Sequence, residues 1–320
     1  MSDRRLAGRV AVVTGAGRGI GRLHALALAR LGACVVVNDC GGAMDGAGCD
    51  PGAATSVVRE IVESGGEAVA DAGDVGSWAD AGALVGRAIA HFGAIDILVN
   101  NAGILRPRTL VGMTEEDVTA VLRVHLFGSF ATTHFAAAHW RDRFKEKGIA
   151  GGRLINTTSA SGLFGHGQAN YAAAKAGIAA LTAVAASELG RYGATANAIA
   201  PIALTRMSTG IAPERFTPEH AAELVCWLST DAARQVTGHV FNVGGGHISV
   251  AERWHTGPAI DKQGLWSVEE LDAAIPGLLA SAAPHPDLMG YYPGEARSPL
   301  LPDLRLPRPD LKPIPTGAAK

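Results

Sequence analysis

Apolar residues fall in short runs separated by longer stretches of helical period, and this alternation repeats along the chain. Val10–Thr14 (VAVVT) is a β-branched run that stops at a glycine cluster, which predicts a strand buried on both faces. Ile20–Leu31 is apolar on all sides and stops at Gly32, a residue suited to the position just past a helix. Ala33–Asn38 (ACVVVN) predicts a second buried strand. A glycine-rich loop follows over Cys40–Pro51, and then a helix over Ala53–Ser64 that ends at Gly65-Gly66. Further strands are expected at Ala68–Ala70, Ile95–Asn100, Arg153–Thr158, Ala196–Ala200 and Val240–Val243. Helical patterns separate them, and the one over Tyr171–Gly190 is dense in alanine. Such alternation predicts an α/β fold of Rossmann type: a doubly wound parallel sheet of about seven strands, helices on both faces, right-handed crossovers.

The pattern changes near residue 250. Nine of the 16 prolines lie in 284–320, so that stretch is neither regular helix nor central strand. The expected organisation is a dinucleotide-binding catalytic domain over 1–250 and a C-terminal appendage over 251–320. The appendage holds one helix (SVEELDAAIPGLLAS) and a Pro-rich tail that packs on the subunit up to about residue 306. Composition narrows the function. Lys plus Arg is 28 and Asp plus Glu is 30, a net charge of −2, which removes the basic face that nucleic-acid binding needs. The four cysteines do not make a disulfide framework in a chain of 320 residues. Cys40 and Cys49 with Asp45 and Asp50 match no metal template, and no metal is expected. The N-terminus (MSDRRLAGRVAVVTG) has no apolar signal core, and no run reaches the length of a membrane span, so a cytoplasmic protein without a membrane partner is expected.

The chemistry is concentrated in three places. Thr14–Gly21 (TGAGRGIG) follows a strand and opens a helix, so Gly15, Gly17, Arg18, Gly19, Ile20 and Gly21 form a turn that lets backbone N–H groups approach a pyrophosphate. No GK[ST] ending follows, which excludes a triphosphate P-loop. Asp39 ends the second strand, where a carboxylate accepts from an adenosine ribose and repels a 2′-phosphate. Arg18 pulls toward that phosphate, but close like-charge repulsion at Asp39 prevails, and NAD is the expected cofactor. The third place is Ser159 with Tyr171 and Lys175. Tyr171 and Lys175 stand at i and i+4 on one helix face, where the ammonium is expected to favour the phenolate and make Tyr171 a workable acid/base.

Taken in order, TGAGRGIG at 14–21, Asp74-Val75, Asn100-Asn101-Ala102-Gly103, Ser159, Tyr171–Lys175 and Pro201…Thr205 resemble the short-chain dehydrogenase/reductase family over about residues 6–250. The resemblance implies that Tyr171 is the acid/base, that Ser159 orients the substrate oxygen and that Lys175 holds the nicotinamide ribose. It implies adenine contacts at Asp74 and Val75, a cofactor backing from Asn101, Ala102 and Gly103, and carboxamide contacts from Pro201, Ile202 and Thr205. His125 stands where many relatives carry the asparagine of a proton relay. Ser159 precedes Tyr171 by 12 residues rather than the common 13, so Thr158 and Ser161 compete for its role. Within the family, VVVNDCGG (35–42), NNAGILRPR (100–108), RVHLFGSF (123–130), GQANYAAAK (167–175) and RMSTGIAPE (206–214) are similar to (3R)-hydroxyacyl-CoA dehydrogenases. The expected reaction is NAD-dependent interconversion of a secondary alcohol and a ketone. An acyl-CoA thioester comes first as substrate and a steroid-derived alcohol second. An NADPH-dependent carbonyl or 3-oxoacyl reductase and a non-catalytic NAD-binding scaffold are the alternatives. The small residues of Tyr171–Gly190 predict a homodimer or homotetramer.

Overall fold

The computed structural model describes residues 4–165, 167–203, 215–252, 255–284, 286–287 and 290–301. Eight strands make one sheet: β1 (Val10–Thr14), β2 (Cys34–Asn38), β3 (Glu67–Asp71), β4 (Ile97–Asn100), β5 (Gly152–Thr157), β6 (Ala194–Pro201), β7 (Val240–Gly244) and β8 (His247–Ala251). Their order is β3-β2-β1-β4-β5-β6-β7-β8. All neighbours run parallel except β7 and β8. The helices are α1 (Gly19–Arg30), α2 (Gly52–Glu63), α3 (Trp78–Phe92), α4 (Glu115–Leu122), α5 (Gly128–Lys147), α6 (Ala160–Phe164), α7 (Ala169–Leu189), α8 (Glu219–Ser229) and α9 (Val268–Ser281).

The β-branched runs sit centrally because both faces of the sheet are covered. Val12 of β1 pairs with Val36 of β2 and Leu98 of β4, and all three are fully buried. Each such side chain stabilises the fold by about 1.5–3 kcal/mol. One apolar cluster packs α1, α2 and α8 on one face, and a second packs α3, α5 and α7 on the other. Chain order reverses between β1 and β4, and the glycine turn after β1 lies at that switch point, where open α/β sheets bind ligands.

The expected count of seven strands is corrected to eight. Gly245 and Gly246, both at positive φ (56° and 81°), form a two-residue turn that sends the chain back as β8. The appendage contains the expected helix. Ser267 accepts from Glu270 N while the Glu270 carboxylate accepts from Ser267 N, a capping box that starts α9. None of the α9 residues is buried. By contrast, Tyr291 and Leu301 of the tail pack on Ile202 and Phe216.

Candidate active site at the carboxyl edge of the sheet

The dinucleotide end is built by backbone geometry. Gly19 opens α1 at φ 55° with free space on its Cα, so the chain turns there without a side chain over the helix end. No side chain caps α1 and no acidic residue lies in its first turn, which leaves its positive end for an anion. A Cβ on Gly17 would stand 2.8 Å from Ala53 Cβ and 2.9 Å from Asp39 Oδ2, so only glycine fits. Asp39 holds the turn in place: Oδ2 accepts from Gly17 N at 2.8 Å and Oδ1 from Gly41 N at 2.7 Å. The carboxylate keeps further acceptor capacity for a ribose. These features fit a pyrophosphate and its adjoining ribose.

Asn101 ties β4 to the turn, its Nδ2 donating to the carbonyls of Thr14 and Gly15, both at 3.1 Å. Thr14 Oγ1 returns the contact by accepting from Asn101 N and Ala102 N at 3.0 and 3.1 Å. Asp74, past the end of β3, accepts from Gly76 N at 2.8 Å and pairs with Arg123 Nη1 at 2.6 Å, while Val75 is buried.

The loop of residues 40–51 does something the sequence pattern does not show. It leaves β2 and reaches the segment that leaves β4, so it spans the end of β1 between them. Leu105 N donates to Met44 O at 2.8 Å and Arg106 Nε to Asp45 O at 3.0 Å. On the other side Arg18 pairs with Asp50 at 2.8 Å. The loop is therefore a strap bonded on both sides of the glycine turn, and Arg18 is engaged by a carboxylate of the same protein.

The catalytic end collects titratable groups in a buried place. Ser159 starts α6, its Oγ accepting from Ser161 N at 3.2 Å, and its side chain acts on the Tyr171 phenol in the direction of the phenolate. Thr158 is removed from the competition because its hydroxyl donates to Lys175 O at 2.7 Å, inside the fold. Lys175 is 3% exposed, and its Nζ donates to Thr157 O at 2.6 Å and stands 5.6 Å from the centre of the Tyr171 ring. Burial pushes Lys175 down to about 7 and pushes Tyr171 above the ordinary phenol value, with Ser159 working against the latter shift. The expectation that Lys175 by itself draws Tyr171 toward the phenolate is thus not met in the free protein. A lysine that titrates near neutrality carries only part of its charge there.

His125 lies in a widened π turn, Arg123–Phe127, between α4 and α5, and is 1% exposed. Its Nε2 is 3.0 Å from Ile104 N and 2.8 Å from Ile104 O, and its ring meets the Tyr171 ring edge-on at 5.3 Å. Burial first, then the Lys175 charge, push it down to about 3, so it is a neutral imidazole whose Nδ1 has no protein partner. The ring also lies against Gly103, where a Cβ would collide with it.

Ser159, Tyr171, Lys175 and His125 thus come together, as do Gly15–Gly21, Asp39 and Asn101–Gly103 on the adjoining half of the edge. Pro201 ends β6, and Ile202 N donates to Val243 O at 2.8 Å with its side chain in the apolar cluster of Phe216, Tyr291 and Leu301. Thr205 and the run 206–214 lie outside the described residues. Among the described residues no group of three or more His, Cys, Asp or Glu is arranged to hold a metal ion. Sequence reasoning missed the strap, Arg123 and Asn170. Only the asparagine left a local signal, a poor helix former immediately before Tyr171 at the start of a helical run.

Three proteins are similar to this chain. The hydroxyacyl-CoA dehydrogenase ChsB1 of Mycobacterium tuberculosis is 46% identical over 297 residues, 87% of this chain and 91% of that protein. The peroxisomal multifunctional enzyme type 2 of Mus musculus is 45% identical over 259 residues, 79% of this chain but 34% of that longer protein. The crystal structure of a short chain dehydrogenase from Mycobacterium avium, 52% identical, superposes with a TM-score of 0.80 and covers 88% of this chain and 97% of its own. The short chain dehydrogenase family model matches residues 9–215. The chain belongs to the short chain dehydrogenase family, oxidoreductases that use a nicotinamide dinucleotide.

Proposed function

We propose that the protein is an NAD-dependent dehydrogenase that oxidises the 3-hydroxyl of an acyl-CoA thioester to the ketone, with steroid-derived CoA esters as the second substrate class. The observation that carries the reading is the Ser159–Tyr171–Lys175 set on the same sheet edge as an uncapped helix end. The similarity to a hydroxyacyl-CoA dehydrogenase and to a peroxisomal multifunctional enzyme supports the substrate class.

A nicotinamide dinucleotide held by the glycine turn and Asp39 would supply the acceptor for the hydride on the carbinol carbon. Ser159 Oγ holds the substrate oxygen, and Tyr171 Oη takes the hydroxyl proton as the carbonyl forms. Lys175 would hold the ribose and, when protonated, oppose the burial that keeps Tyr171 neutral. Asn101, through Thr14 and Gly15, and His125, packed on Gly103, make a rigid wall that would back the cofactor. NAD over NADP is supported by Asp39 at the end of β2 and by the engagement of Arg18 with Asp50. Four free cysteines suit a reducing compartment such as the cytoplasm.

A homodimer or homotetramer is part of the reading. Phe130 of α5 is 51% exposed and Val184 of α7 is 53% exposed, beside the exposed Ala173, Ala176 and Ala180. Light scattering is expected to give at least twice 32.8 kDa at micromolar concentration, and a monomer contradicts this part. The activity is tested by initial rates on 3-hydroxyacyl-CoAs of both configurations with NAD and with NADP. Oxidation preferring NAD by at least about 10-fold is expected. Turnover confined to NADPH-driven ketone reduction overturns the reading.

A further inference from the structure

Three consecutive residues after β4 take contacts from three separate parts of the fold. The ring of His125 meets both the N–H and the carbonyl of Ile104. The strap reaches Leu105 and Arg106 through Met44 and Asp45. The carbonyl of Arg106 accepts a hydrogen bond from Asn170 Nδ2 at 3.2 Å. The same nitrogen donates to the carbonyl of Asp117, in the first turn of α4, at 3.1 Å. Asn170 Oδ1 accepts the backbone N–H of Tyr171 at 2.8 Å. The amide thus uses both its donors and its acceptor, and the residue is 3% exposed.

Its position is unusual for its type. Asparagine is a poor helix former, yet here it is the second residue of α7. The first N–H groups of a helix have no partner within it. Ala172 N already reaches Gln168 O at 2.8 Å, whereas the N–H of Tyr171 is taken by Asn170. An apolar side chain here would deprive the Tyr171 N–H and the Arg106 carbonyl of these bonds in a covered place.

We propose that Asn170 is a positioning residue for the reaction: its amide clamps the first turn of α7 to the backbone of Arg106 and Asp117 and so fixes where Tyr171 stands between Ser159 and His125. It acts through Tyr171 and through the segment 104–106, without contact with the reacting atoms. The glycine turn and Asp39 do not touch it, so it bears on turnover and leaves cofactor affinity alone. The inference rests on Tyr171 being the acid/base.

The test is a double-mutant cycle between Asn170→Ala and Tyr171→Phe, read as kcat, KM for NAD and melting temperature. Asn170→Ala is expected to lower kcat at least about 10-fold, since misplacement near 1 Å costs up to about 100-fold. KM for NAD is expected to stay within about twofold of the parent, because the binding contacts are untouched. In the Tyr171→Phe background the same substitution is expected to cause no further loss, because there is no phenol left to position. Asn170→Ser keeps an oxygen for the Tyr171 N–H but lacks the two amide donors, and it carries the same cycle should the alanine variant not fold. An unchanged kcat, or a loss that persists undiminished in the Tyr171→Phe background, overturns the inference. An active Tyr171→Phe enzyme overturns the parent reading instead, so the two failures are distinct.

Discussion

The two halves of the crevice are made by opposite means. At the dinucleotide end the side chains are spent on backbone: Asp39 on Gly17 and Gly41, Asn101 on Thr14 and Gly15, and Thr14 on Asn101 and Ala102. At the catalytic end, burial moves the protonation equilibria of Tyr171, Lys175 and His125. Binding a dinucleotide needs shape, which hydrogen-bonded backbone supplies. Moving a proton needs groups whose charge state is in play, and desolvation supplies that. Substitutions at the first end are therefore expected to change which ligand binds, and those at Tyr171 to change turnover.

Removing the carboxylate at the binding end sharpens that contrast most. Asp39→Ala is expected to narrow the NAD-over-NADP preference by roughly 10- to 100-fold, the worth of a charge-assisted hydrogen bond of about 1.5–3 kcal/mol. Steady-state kcat/KM with each cofactor measures it, and unchanged discrimination shows that Asp39 serves only the turn.

The next effect concerns pH. His24 of α1 is fully buried with no partner on either ring nitrogen, and burial pushes it down to about 3. It is neutral when folded and takes a proton when unfolded below its ordinary value of 6.5. Stability is therefore lost as pH falls from 6.5 toward about 3, by up to about 1.4 kcal/mol per pH unit for each such group. His125 has the same sign. His24→Leu is expected to flatten the acid limb of denaturant-measured stability, and an unaltered limb contradicts the assignment.

The smallest effect is at the strap. Arg106→Ala removes an exposed pair with Glu116 at 2.8 Å and the bond to Asp45 O at 3.0 Å. Surface pairs contribute about 0.2–1 kcal/mol, so the dissociation constant for NAD is expected to rise by no more than about fivefold with kcat little changed. Fluorescence titration measures it, and a large loss of kcat breaks the division between the two ends.

How far the sequence disclosed this depends on the range of the contacts involved. Val10–Thr14 and the glycine turn are readable because each answers a local demand, burial of a strand and a tight backbone. The capping box at Ser267 and Glu270 is readable for the same reason. The strap is not, because Met44 and Leu105 meet only after β2 and β4 are placed on either side of β1. The Gly245-Gly246 turn is a local hairpin signal, but the strand it leads into is short and half exposed and leaves no buried apolar run to read. Tyr171 and Lys175 declare themselves by spacing, but their protonation depends on burial, which spacing does not reveal.

The central claim is that Tyr171 transfers the proton at a site whose cofactor end stands independently of it. Tyr171→Phe, assayed for turnover and for NAD affinity on one preparation, tests this most directly. In this variant kcat is expected to fall at least about 100-fold while the dissociation constant for NAD stays within about twofold. A variant that turns over within about fivefold of the parent, or one that loses NAD affinity in step with activity, contradicts it.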